Sequence, residues 1–467
     1  MIYGALFLVA AVTTTPEDCA TLRRHGQQTE ARACYQALTQ ATDPYLRAEG
    51  AWGLEHYVEA NAEFRAAVAK ADRNAMYRVR WGRLLHERFN DPEAANLFKE
   101  ALERDPKNAE AYVGLALIGA DGFDEQARES AQKALQLDPK LTEAHEILAE
   151  LALEDSDSAA ATKEADAALA IAADSLDAMA IHAALDILAD RAPETWLQKM
   201  TAVNSTYGHG YAIVASHLIL NRRYDDGVAY YRKAIALDPR LWEAKSQLGV
   251  NLMRLGKADE AREQLVQCYN SGYRNAATVN SLRLLDTLKT FTTVKSDNTI
   301  VVLDPKEAGL LQPYVEDTLK RAIARYSKDY GATLPGPVRV EVYPNHEDFA
   351  VRTVGMPGLG ALGVTFGTVI AMDSPSGRKP GSFNWAATLW HETNHVFAIL
   401  ASQNRAPRWF LEGLAVHAEG EGDPRWANRP RLRRARRGLR GTTAARDSAR
   451  RESRTRDWSR ATASPPS

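Results

Sequence analysis

Apolar residues recur along residues 30–275 at the spacing of amphipathic helices, and the helices end at a repeated signal. ALERDPKN (101–108) returns as ALQLDPKL (134–141) and as AIALDPRL (234–241). Asp105 and Asp138 lie 33 positions apart, and Asp138 and Asp238 lie 100 apart, close to three such periods. The Asp-Pro pair stops each helix, because the residue before a proline is pushed out of the α region. Between stops the pattern reads helix, short turn, helix, and Ala75–Asn108 and Trp242–Asn275 are units of 34 residues each. After residue 276 the period changes. TIVVLDP (299–305) reads as a strand, 308–331 as an amphipathic helix closed by Gly331, and VRVEVY (338–343) as a half-buried strand. A short helix over 345–354, a glycine-rich bend MPGLGALG (356–363) and a further strand VTFGTVIAMD (364–373) follow. The bend leads into a strand and lacks a Gly-Lys-Ser/Thr ending, which excludes a phosphate loop.

Within the repeats, small residues stand where paired helices approach closely, as at Gly249, Ala258 and Ala261 after Pro239. This pattern resembles tetratricopeptide repeats over about residues 30–275, some seven units, with the first unit and the one at 177–210 degenerate. The resemblance implies an α-solenoid whose concave face docks a protein partner. The alternative is that the array only scaffolds the region after it.

Composition narrows the picture. The chain has 467 residues, 45% hydrophobic and 25% charged, as in ordinary globular proteins. The net charge of −2 hides an asymmetry: residues 425–467 hold 14 Arg and three acids, leaving 44 basic against 57 acidic residues before them. An acidic body argues against nucleic acid as a partner. No stretch is long enough for an integral membrane segment. MIYGALFLVAAV (1–12) has the length of a signal-peptide core, so residues 1–17 read as an export signal to the periplasm or cell envelope; a simple apolar helix start is the alternative. Cys19 and Cys34, 15 apart, could face each other across two antiparallel helices as a disulfide, but two buried thiols are the plainer expectation.

The chemistry concentrates in FNWAATLWHETNHVFAIL (383–400) and PRWFLEGLAVHAE (407–419). His391 and His395, at i and i+4, project from one helical face and reach one cation. Glu392 is turned about 100° from His391 around the helix, where it serves as a base rather than a ligand. Glu412, 17 residues after His395, completes two imidazoles and a carboxylate, the donor set of a catalytic zinc site. His417 is the rival third ligand. Glu419, two turns beyond Glu412, reads as a solvated acid at the helix end. Ala398 and Ala401 occupy the positions where a metzincin carries Gly and His.

HETNH followed by WFLEGLA resembles the gluzincin metallopeptidases, and within them the peptidase-MA-like domains joined to tetratricopeptide repeats in bacterial exported proteins. The resemblance covers about residues 295–420. It implies Zn(2+) held by His391, His395 and Glu412, Glu392 as general base in peptide-bond hydrolysis, and pairing of a peptide or protein substrate along Val364–Ile370. Two features of that family are missing. Val416 stands where thermolysin-like enzymes carry the Asp that orients a ligand histidine, and no Tyr follows Tyr343 to stabilise an oxyanion.

The expected fold is therefore mainly α: a tetratricopeptide-like solenoid over 18–275, then a small α+β gluzincin-type metallopeptidase domain over 276–424. The Arg-rich segment 425–467 reads as a disordered, non-native end that cuts the domain short after its third ligand, or alternatively as a basic arm. The functional expectation is a zinc metallopeptidase with a docking array. Its competitor is a non-catalytic binding scaffold carrying a degenerate peptidase domain.

Overall fold

At each Asp-Pro signal the chain makes the same turn. Asp105, Asp138 and Asp238 leave the helical region with φ of −140°, −138° and −128°, and their amides still donate to Ala101, Ala134 and Ala234. Their Oδ1 atoms then accept from the amides of Lys107, Lys140 and Arg240 at 3.0, 2.9 and 2.9 Å. Each Asp side chain thereby satisfies one amide of the turn that follows the helix. The computed structural model describes residues 14–121 and 125–422. Most of the expected leader and all of the Arg-rich tail lie outside the described residues. The chain divides into two compact units between Leu285 and Asp286, later than the change of period suggested.

The first unit is an array of helical hairpins running from Pro16–Arg24 to Ala276–Leu288. Pairing begins earlier than residue 30: Pro16–Arg24 packs on Gln28–Leu38, and Cys19 and Cys34 form a disulfide between them. The expectation of two free thiols is thus corrected, because the hairpin brings the two Cα atoms to 5.4 Å, within bonding range. Second helices of the hairpins bury small residues at i, i+4 and i+7, as at Ala127, Ala131 and Ala134 and at Ala161, Ala165 and Ala168. At Phe98, where a large ring takes the middle position between Ala94 and Ala101, two of its neighbours are glycine. A Cβ on Gly114 would lie 2.4 Å from the Phe98 ring, and one on Gly82 2.7 Å.

The second unit is a five-stranded sheet with helices on both faces. Its strands are β1 (Thr292–Lys295), β2 (Thr299–Leu303), β3 (Val338–Tyr343), β4 (Gly363–Phe366) and β5 (Val369–Asp373). The order is β1-β2-β3-β5-β4, with β2, β3 and β5 parallel and both edges antiparallel. The long helix Pro305–Tyr330 links β2 to β3 and, with Trp385–Ser402, covers one face. Val340, Ile370, Leu319, Tyr326, Leu389 and Phe397 fill the core between them.

Two strand expectations change. VRVEVY is not half-exposed: Glu341 and Tyr343 on its second face are buried beneath helix His346–Val354. Glu341 accepts from Arg339 Nε and Arg352 Nε, each at 2.6 Å, and from Tyr343 Oη at 2.8 Å. Burial alone would raise its carboxyl, but the two guanidinium groups bring it down to about 2. The segment 364–373 is not one strand but a tight hairpin turning at Gly367, whose φ is +60°. Only its first arm, Gly363–Phe366, is a sheet edge. β5 is paired on both sides, so the stretch Val364–Ile370 cannot pair with a substrate as a whole.

Candidate metal centre

Helix Trp385–Ser402 is capped by Asn384, whose side chain accepts from the Ala387 amide, and closes at Gln403 in the left-handed region. Its apolar face holds Leu389, Val396 and Phe397 in the core. This fixes the rotation of the helix and aims His391 and His395 toward Arg408–Gly422, the next helix. That helix buries Leu411 and Ala415 and so turns Glu412 back onto the pair.

The three candidate ligands read from the sequence meet. His391 Nε2 lies 3.1 Å from His395 Nε2 and 3.6 Å from Glu412 Oε2, and His395 Nε2 lies 3.4 Å from Glu412 Oε2. Around zinc with bonds near 2.0–2.1 Å, tetrahedral donors stand about 3.4 Å apart. The triangle therefore fits such an ion, with a fourth position left for another ligand. Among the described residues these three form the cluster with metal-binding geometry, and His417 is not part of it.

Glu392 stands beside the triangle, 5% exposed. Thr365 Oγ1, on the edge strand β4, donates to Glu392 Oε2 at 2.7 Å and also approaches the Glu392 carbonyl oxygen at 2.9 Å. Gly363 two residues earlier faces the same side chain, and a Cβ there would lie 2.8 Å from Glu392 Cγ. The edge strand thus holds the carboxylate directly. Neither contact was foreseen, although position 365 alternates with 363 on one face of the strand, which pattern alone could have indicated.

Glu419 corrects its sequence reading. Its Oε1 lies 2.6 Å from His391 Nδ1, and the side chain is 36% exposed rather than fully solvated. The signal was available: residues seven apart share a helical face, so the helix that supplies Glu412 supplies Glu419 to the same neighbour. The acid sought at Val416 is absent there, and Val416 is 58% exposed. The tyrosines nearest in sequence to the core of this unit are engaged otherwise. Tyr326 and Tyr330 donate to the Trp390 carbonyl and to Asn394 Oδ1, and Tyr343 to Glu341.

The repeat unit carries its own concavity, a cavity of about 1050 Å³ lined by residues including Arg24, Glu143, Glu146, Asp177, Tyr207 and Arg240. Burial, and after it the neighbouring Asp177 carboxylate, push Glu146 up to about 8. Tyr207 Oη donates to Asp177 Oδ1, and Ser175 Oγ donates to Glu146 Oε1 at 2.5 Å.

Comparison with known proteins places the first unit. The family model described as tetratricopeptide repeat matches residues 90–122 and 215–269. Over those residues the chain thus carries tetratricopeptide repeats. Similar solved structures include TTC0263, a thermophilic tetratricopeptide-repeat protein of Thermus thermophilus, at 18% identity over 38% of this chain and 98% of that one, TM-score 0.32. A tetratricopeptide-repeat protein of Parabacteroides merdae shows 17% identity over 56% of this chain and 100% of its own, TM-score 0.37. The pilF protein of Pseudomonas aeruginosa shows 16% identity over 46% and 98%, TM-score 0.30. No curated protein matches the sequence. Among the described residues no helix is long and apolar enough to cross a membrane.

Proposed function

We propose that this chain is a protein-interaction scaffold of tetratricopeptide repeats that also carries a gluzincin-type zinc centre able to hydrolyse peptide bonds. The family match supports the binding function, with the concave cavity as its docking surface. The observation that carries the hydrolytic function is the triangle of His391, His395 and Glu412, with edges of 3.1–3.6 Å. Zinc bound there supplies Lewis-acid polarisation of a carbonyl and a water of lowered pKa.

The chain's own groups divide the remaining work. An extended substrate pairs its backbone with the free edge of β4, as a strand added to the sheet. Glu392, oriented by Thr365, accepts the proton of the attacking water and passes it to the leaving amine. The Cys19–Cys34 disulfide supports export to an oxidising compartment, in keeping with the apolar run at residues 1–12.

One comparison tests the hydrolytic function. Wild type and Glu392→Gln are assayed for zinc content and for cleavage of unstructured peptides. One zinc per chain in both, with cleavage only by wild type, is the expected result. Zinc in both without cleavage by either would leave the scaffold function alone, and a wild type without zinc would remove the hydrolytic proposal.

A further inference from the structure

Helix Arg408–Gly422 touches His391 from both sides of the ring: Glu412 Oε2 lies 3.6 Å from Nε2, and Glu419 Oε1 lies 2.6 Å from Nδ1. The two acids are seven residues apart, about two helical turns, so one helix presents both to the same imidazole. A neutral imidazole has one donor nitrogen and one acceptor nitrogen, and the partner of the first selects the role of the second. A carboxylate on Nδ1 requires the proton there. Nε2 is then left with its lone pair, pointing at His395 Nε2 and Glu412.

We propose that Glu419 is the positioning residue of the metal centre: it fixes the Nδ1–H tautomer and the ring orientation of His391, and so raises the affinity of the site for zinc. The inference rests on the zinc reading above and extends it to a residue outside the motif. Three consequences follow from the geometry. The carboxylate makes the imidazole a stronger donor through Nε2. It also holds the ring before metal arrives, which lowers the ordering cost of binding. And because Glu412 and Glu419 share a helix, the docking of Arg408–Gly422 against Trp385–Ser402 delivers ligand and orienting acid together.

The alternative is a surface ion pair that only helps the two helices pack. Zinc affinity separates the two. Apo protein is titrated with Zn2+ against a chromophoric chelator, for wild type, Glu419→Ala, Glu419→Gln and Glu412→Ala, with the thermal midpoint of each apo form recorded alongside. Loss of an orienting partner of a ligating His typically weakens metal binding by about 10–100-fold. Glu419→Ala is expected to fall in that range with an apo midpoint close to wild type. Glu419→Gln, whose amide oxygen still accepts from Nδ1–H, recovers most of the loss. Glu419→Ala binding zinc as tightly as wild type, or losing affinity only in step with apo stability, would overturn the proposal while the zinc centre stands. If wild type and Glu412→Ala both fail to bind zinc, the centre itself is refuted and the role of Glu419 with it.

Discussion

His217, in helix Gly208–Leu220, is 2% exposed, and neither ring nitrogen meets a hydrogen-bond partner among the described residues. Burial lowers its pKa from 6.5 to about 4, since a charged imidazole there has no compensating group. The unfolded chain takes up this proton first, so between pH 6.5 and 4 it binds more protons than the folded one. Stability from the neutral ring is complete above about pH 6.5 and is lost as pH falls toward 4, by roughly 3 kcal/mol in all. Denaturant melts of His217→Leu are expected to show a correspondingly flatter pH dependence across that window. An unchanged slope would mean the ring is hydrated. The contrast with Glu341 is instructive, because there two arginines reverse the burial penalty that His217 bears unrelieved.

At the scale of elements, the periodicities were legible and the pairings were not. The Asp-Pro stops, the helix ending at Gly331 and the helix carrying HETNH follow from local signals, since capping and hydrophobic period act within a few residues. The β4–β5 hairpin escaped because GVTFGTVIAMD has no turn signal beyond Gly367, and its apolar run suits one long buried strand as well as two short ones. β1 escaped for a related reason: TTVK is short and exposed, and only its pairing with β2 makes it a strand. The hairpin matters because its free arm carries both Gly363 and Thr365 to Glu392. Gly363→Ala places a Cβ 2.8 Å from Glu392 Cγ and 2.9 Å from Oε1, too close for the side chain to stay. Since misplacement of a reacting group by about 1 Å costs up to about a hundredfold, Gly363→Ala is expected to cut peptide hydrolysis by at least about tenfold. Zinc content should stay the same, and a parallel loss of metal would show that the strand supports the ligands instead.

On the scale of the whole first unit, sequence-distant groups close the array on itself. His25 Nε2 lies 2.9 Å from Asp174 Oδ2, Asn204 Nδ2 donates to the Arg24 carbonyl at 3.1 Å, and Arg240 pairs with Glu55 at 3.0 Å. The helical hairpin that makes the first two of these contacts is the one stapled by Cys19–Cys34. In a repeat array each hairpin depends on its neighbours, so a terminal hairpin is the first to fray. A crosslink over a loop of this length contributes about 3 kcal/mol. Reductant, or Cys19→Ser with Cys34→Ser, is therefore expected to remove amide-exchange protection from residues 16–38 while Trp385–Ser402 keeps its own. Equal protection with and without reductant would show that packing alone holds the hairpin.

By itself the sequence determined the repeat period, the helix stops and the placing of His391 and His395 on one helical face, because each is written in residues that are neighbours on one helix or in one short motif. Glu412 was within reach of that logic through its apolar, proline-led helix. What only the tertiary structure decided are relations between elements: the disulfide, the second arm of the hairpin, Thr365 on Glu392 and Glu419 on His391. Those contacts depend on the rotation and approach of packed helices and on strand register. Burial of side chains from distant parts of the chain sets both, and no local pattern encodes them.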